Sequence, residues 1–196
     1  MIIIIIIYDK RIKKEFDTIS FMKLKIKLLL FFPIFLYAHP HTFIDLYPIV
    51  VSEGEIIKSI KFKWEMDDMS SQLLRMECDQ NMDGKIDDSE NKFIEKNLFK
   101  PLGVYDFYTD IMVKNRSIKT KPRDFKAFFL KDKVVYSFTV DINANKNDLY
   151  IDFYDTDNFV AIVLKKEFVI SFVDFYIKGV DNDFYFAHRL GFGKEK

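Results

Sequence analysis

In Ile56-Ile57-Lys58-Ser59-Ile60-Lys61-Phe62-Lys63-Trp64-Glu65, the apolar side chains of Ile60, Phe62 and Trp64 alternate with Lys61 and Lys63. A repeat of two places apolar groups on one face of a strand and lysines on the other. The preceding run, Thr42–Val51, is also apolar-rich, and Ser52-Glu53-Gly54 between the two predicts a hairpin. The period then changes. Over Asp67–Cys78, Met69, Leu73 and Met76 recur at helical spacing, with Asp68 or Ser70 placed to cap the start. A second helical pattern, Ser89–Phe99, carries Phe93, Ile94 and Leu98 on one side and should stop at Pro101 and Gly103. Strand patterns return further on: Val134, Tyr136, Phe138 and Val140 alternate with their neighbours, as do Leu149, Ile151 and Phe153. Asn143–Asp148 between them has the composition of a turn. Phe159–Leu164, Phe168–Val173 and Phe175–Lys178 are shorter strand candidates. The predicted fold class is α+β, a mainly antiparallel, sandwich-like β domain with a helix–loop–helix inserted after its second strand.

Composition agrees. The 196 residues are 49% hydrophobic and 31% charged, with only 6 Gly and 5 Pro, which excludes a disordered or collagen-like chain. The 22 Phe and 10 Tyr favour pleated, half-buried surfaces. Thirty basic and thirty acidic residues cancel, so no nucleic-acid partner is expected. A single cysteine, Cys78, excludes an internal disulfide framework and is read as a buried structural thiol.

The amino-terminal region reads differently from the rest. Lys23, Lys25 and Lys27 follow Met22, Leu28–Tyr37 is apolar, and Ala38 supplies a small residue at its end. This is the layout of a secretory signal peptide at 22–38, cleaved after Ala38. Residues 1–21 are then an over-extension of the gene model, and 39–196 form one periplasmic domain. An uncleaved anchor is the alternative, although the apolar core is short of the roughly 20 residues a membrane span needs. Residues 1–38 carry seven Lys/Arg and three Asp/Glu, which leaves 23 basic and 27 acidic groups on 39–196. That acidic balance suits a protein that attracts cations.

The strongest local motif is Asp79-Gln80-Asn81-Met82-Asp83-Gly84-Lys85-Ile86-Asp87-Asp88-Ser89-Glu90. It has the twelve-residue EF-hand pattern, set within a helix–loop–helix at about 67–99. Asp79, Asn81 and Asp83 offer side-chain oxygens at alternate positions, and Gly84 permits the sharp turn. Lys85 contributes its backbone carbonyl, Asp87 binds directly or through water, and Glu90 closes with two oxygens. Calcium tolerates this many irregular oxygen ligands better than magnesium does. The plainer reading is an acidic surface turn that binds nothing. Asp141-Ile142-Asn143-Ala144-Asn145 begins similarly, but Lys146 stands where glycine is needed, so no second loop is expected.

Cleavage after Ala38 would expose His39-Pro40-His41. A terminal amine, the His39 imidazole and His41 make a nitrogen set suited to zinc, nickel or copper. Pro40 has no amide proton and so prevents the square-planar amide-ligated alternative. Asp45 lies about 13 Å beyond His41 along an extended strand, too far to share the ion. Two solvated histidines at a frayed terminus are the competing reading. His188, the remaining histidine, is expected to be an ordinary core or surface residue.

Together these pieces resemble domain-of-unknown-function family 1007, exported bacterial proteins often labelled periplasmic components of an ABC-type transport system. The resemblance is carried by Ala38-His39-Pro40-His41-Thr42-Phe43-Ile44-Asp45, Trp64-Glu65-Met66-Asp67-Asp68, the Asp79–Glu90 loop, Pro122-Arg123-Asp124-Phe125, and Tyr154-Asp155 leading to Phe159-Val160-Ala161. The sequence departs from the family pattern at Asp68, where Glu is usual, and at Asp157-Asn158-Phe159, where a Tyr-rich turn is usual. The resemblance implies an inner-membrane metal transporter of the nickel/cobalt type as partner, with zinc handling as a further role. The expected function is a non-enzymatic periplasmic metal-handling accessory with a structural calcium loop, to which Asp67, Asp68 and Asp155 add ligands or docking groups. The alternative is a calcium-stabilised scaffold domain without a transition-metal role. A copper-brace oxidase is disfavoured, because no second catalytic group stands out.

Overall fold

The computed structural model describes residues 42–182 and 185–194. The expected leader at 22–38, the over-extension at 1–21, and His39 and His41 lie outside the described residues. Among the described residues ten strands form two five-stranded sheets. The hairpin of β1 (Thr42–Glu53) and β2 (Ile56–Met66) pairs antiparallel through the register Leu46↔Trp64 and Pro48↔Phe62. Gly54, at φ +58, makes the tight turn between them. In β2 the alternation works as expected: Ile60, Phe62, Trp64 and Met66 are buried while Lys61 is exposed.

Between β2 and the next strand lies the inserted segment. Helix α1 (Asp68–Cys78) is followed by the Asp79–Asp87 loop and by helix α2 (Asp88–Ile94). The chain does not stop at Pro101 and Gly103. It continues through a π-helical turn at Glu95–Phe99 and a 3-10 stretch at Lys100–Tyr108, where Pro101 occupies the first turn. A proline there removes only an amide that would lack a helical partner, so it starts a helical turn instead of ending one.

The remaining strands are β3 (Thr109–Val113), β4 (Arg116–Ile118), β5 (Pro122–Leu130), β6 (Lys133–Asn145), β7 (Leu149–Phe153), β8 (Val160–Val163), β9 (Phe175–Asn182) and β10 (Tyr185–Phe192). The first sheet has the order β5-β6-β2-β1-β8 and the second β4-β3-β7-β10-β9. All pairings are antiparallel except β1 with β8, where Thr42 faces Val160 and Asp45 faces Val163. The expected strand at Phe168–Val173 is absent. Residues Lys166–Phe168 form a 3-10 turn, and only Ile170 makes a bridge, to Ile49.

One core serves both sheets. Phe62 of the first sheet meets Phe153 of the second at 5.8 Å between ring centroids. Trp64 packs edge-on against Phe138 at 5.0 Å, and Phe99 reaches Phe138 at 5.0 Å and Phe125 at 4.3 Å. Offset and edge-to-face rings bring complementary quadrupoles together, which adds to the burial of large apolar areas.

The stripe Met69–Leu73–Met76 does not face this core. All three are exposed, Met76 by 81%, and α1 instead turns Ser70, Ser71 and Cys78 inward. The small polar face is explained by its partners. Ser71 Oγ donates to Met66 O at 3.1 Å and accepts from Val134 N at 3.0 Å, so one buried hydroxyl joins the end of β2 to β6. Leucine or methionine there would orphan two backbone groups.

Candidate functional site: an acidic loop, a strand-end clasp and a tyrosine cleft

The acidic loop hangs between two well-capped helices. Asp67, not Asp68 or Ser70, caps α1: its carboxylate accepts from Ser70 N at 2.9 Å. At α2, Asp87 accepts from Ser89 N at 2.8 Å and Glu90 N at 2.9 Å, while Glu90 Oε2 accepts from Asp87 N at 2.9 Å. This reciprocal capping box fixes the last turn of the loop onto the helix. The bonds to Glu90 N and to Ser89 hold the Asp87 carboxyl below its usual range.

Within the loop the side chains fold back on its own backbone. Asp79 accepts from Asp83 N at 3.0 Å and Gly84 N at 3.0 Å, Asn81 from Asp83 N at 2.8 Å, and Asp83 from Lys85 N at 2.9 Å. Glu90 Oε1 reaches across to Gln80 N at 2.8 Å. Gly84 sits at φ +78 with nothing within 4 Å of where a Cβ would stand, so conformation and not space dictates glycine. Ile86 packs against the core. The sequence therefore places Asp79, Asn81, Asp83, Lys85, Asp87 and Glu90 on one compact coil. Among the described residues no group of three or more His, Cys, Asp or Glu is gathered as a metal cage, since these oxygens are turned toward amides.

Burial sets this loop apart from an ordinary acidic turn. Asp79 is 9% exposed and Glu90 4%, and among the described residues no basic side chain pairs with either. Their compensation comes from backbone amides instead, Asp83 N and Gly84 N at Asp79 and Gln80 N, Asn81 N and Asp87 N at Glu90. The donor set of carboxylates, one amide oxygen and one carbonyl fits a hard cation.

A second feature surrounds the first described residues of β1. Asp67 Oδ2 accepts from Phe43 N at 2.6 Å, and Phe43 O accepts from Asp67 N at 2.9 Å. Burial would raise the Asp67 carboxyl, but the bonds from Phe43 and Ser70 outweigh it and hold it below the usual range. On the other side of β1, Asp155 accepts from Asn158 N at 2.8 Å and Val160 N at 3.0 Å, shaping the turn that delivers β8 alongside Thr42. Asp67 and Asp155 thus clasp the start of β1 by ordering its two flanks. Asp68 points outward and pairs with Lys133 at 3.7 Å. His188 lies in β10, opposite Phe153 and Gly179, edge-on to Phe186 at 5.1 Å, and burial lowers its pKa.

The third feature had no sequence signal of its own. A cleft of ≈ 340 Å³ opens between the 104–110 turn, Ser117–Ile118 of β4 and the 154–157 turn. Asp106, Asp110, Asp155 and Asp157 line it, with Tyr105, Tyr108 and Tyr154. These residues are distant in sequence and meet only because β3 pairs with both β4 and β7. Asp106, Phe107 and Tyr108 have successive φ values of 46°, 54° and 54°, a left-handed run held by the burial of Phe107 and Tyr108.

A β-sandwich-like domain carrying an acidic helix–loop–helix is the class these elements define. The family profile described as "Protein of unknown function (DUF1007)" matches residues 24–179, and the chain belongs to that family. No curated protein matches the sequence.

Proposed function

We propose that the protein is a calcium-stabilised periplasmic accessory of a transition-metal transport system. The observation that carries the calcium part is the pair of buried carboxylates, Asp79 and Glu90, which stand at the two ends of one twelve-residue coil with no basic side chain of the described residues paired to them. With calcium present, Asp79, Asn81, Asp83, the Lys85 carbonyl, Asp87 and Glu90 would hold it. The ion would tie the end of α1 to the start of α2. Its role is structural, because both helices are pinned to the first sheet: Ser71 to β6, and Asn91, whose Oδ1 accepts from Ala127 N at 2.7 Å, to β5. Extracellular-type affinities of about 10⁻⁴–10⁻³ M suffice for such a brace. Thermal unfolding with and without calcium is the test. We expect an upward shift that disappears in an Asp79→Ala, Glu90→Ala double variant; an unshifted midpoint in the parent protein would remove the calcium assignment.

The accessory role rests on the sequence His39-Pro40-His41, which precedes Phe43 of the clasp by two to four residues in the chain, and on the family's implied transporter partner. Among the described residues no helix is long and apolar enough to cross a membrane. Zinc, nickel or copper binding by the exported chain, compared with a His39→Ala, His41→Ala variant, tests this part. Equal affinities would leave a calcium-braced scaffold domain, the alternative function.

A further inference from the structure

We propose that the cleft lined by Tyr105, Tyr108, Asp110, Tyr154, Asp155 and Asp157 binds an organic cation, a primary ammonium or guanidinium group on a short aliphatic stem. This site is separate from the acidic loop and does not depend on the function proposed above. Its volume of ≈ 340 Å³ falls within the range of small-ligand pockets.

Charge selects the class. Four aspartates line the cleft and no lysine or arginine does. Lys119, just outside the lining, reaches Asp106 at 3.2 Å and balances that carboxylate alone. Asp110 Oδ1 accepts one bond, from Ser117 Oγ at 2.6 Å, and Asp157 Oδ2 one, from Thr156 Oγ1 at 2.8 Å. Each carboxylate has about four acceptor directions, so both retain capacity for a charged N–H donor.

The tyrosines supply the second, independent indication. Tyr108 is 6% exposed, lines the cleft, and receives no hydrogen bond to its hydroxyl from any described residue. Its ring is buried, but its oxygen is not among the fully enclosed atoms that lack a partner, so the hydroxyl opens to the cleft, where an occupant can take it up. Burial, with Asp155 and Tyr105 nearby, pushes its pKa up to about 12; burial and Asp110 do the same for Tyr154. Both therefore stay neutral phenols, whose oxygens can accept from a cationic N–H group.

A bare divalent ion fits less well. Asp155 already spends both oxygens on the 157–160 turn, and the described residues offer no three-ligand group here. A neutral polyol would use the same hydrogen-bond groups but would leave the uncompensated charge unanswered.

The test is calorimetric titration of the full exported protein with 1,4-diaminobutane, with a lysine-containing tripeptide, and with 1,4-butanediol. The first two distinguish a free diamine from a peptide side chain as the source of the same chemistry; binding of either supports the site. An Asp110→Asn, Asp157→Asn double variant should weaken binding about tenfold or more, the effect of removing charge-assisted bonds. Tyr108→Phe, which keeps the ring and hence the packing, should weaken it severalfold. Asp132→Asn, in the exposed β5–β6 turn, should change nothing. No binding by either cation, equal binding by the variants, or equal binding of butanediol would each overturn the proposal. Circular dichroism of each variant keeps a folding defect from passing for lost binding.

Discussion

Tyr136 is the only described residue with a fully buried side-chain polar atom lacking a hydrogen-bond partner. Its hydroxyl neighbours the Cys78 thiol without meeting hydrogen-bond geometry, and burial is the first cause that pushes the thiol up to about 11. Two outcomes follow at this scale. Tyr136→Phe should be neutral or stabilising, by up to about 1–2 kcal/mol in urea denaturation, because an unsatisfied hydroxyl leaves the core with no change of shape. Cys78 should resist iodoacetamide in the folded protein and react once unfolded, since the nucleophile is the thiolate. Asp67 gives a pH-dependent prediction. Its folded carboxyl lies below the unfolded value of about 3.9, so its stabilisation is complete above that value and is lost as pH falls through the folded one. Asp67→Ala should cost about 1–2 kcal/mol at pH 7, the ordinary worth of a helix cap, and progressively less below pH 4.

At the level of elements, the structure separates what a repeat can and cannot reveal. The β1–β2 hairpin was legible because one face of each strand is buried and the pattern records it; β6 keeps the apolar alternation of Val134, Tyr136, Phe138 and Val140 although Val135 and Ser137 on its other face are buried too. The stripe Met69–Leu73–Met76 had the correct period for α1 but the wrong face, since the buried side of the helix is held by Ser71's two hydrogen bonds and not by apolar contact. Ser71→Ala should therefore cost about 1–3 kcal/mol by orphaning Met66 O and Val134 N. Strands β3, β4, β5 and β10 escaped notice because β3 and β4 have only five and three residues and burial along β5 and β10 does not alternate strictly. The acidic loop could be read because its ligands are contiguous. The tyrosine cleft could not, because residues near 106, 117 and 155 become neighbours only through the β4-β3-β7 order.

For the whole molecule, the shared core predicts one cooperative transition. Phe138 touches Trp64, Phe62, Phe99 and Phe107, so it links the inserted segment to the first sheet, and Phe62 carries that link to Phe153 in the second. Phe138→Ala should destabilise the protein by about 3–5 kcal/mol. Fluorescence of Trp64, the single tryptophan, and far-ultraviolet circular dichroism should then still report the same midpoint. Separate midpoints would mean that the sheets unfold independently. The π-helical turn at Glu95–Phe99 matters here beyond its five residues. Each residue of an α-helix turns the chain by about 100°, so excising a single amino acid from this segment would swing Phe99 away from Phe125 and Phe138. Surface turns such as Gly54-Glu55 should accept length changes over evolutionary time, whereas this internal count should stay fixed.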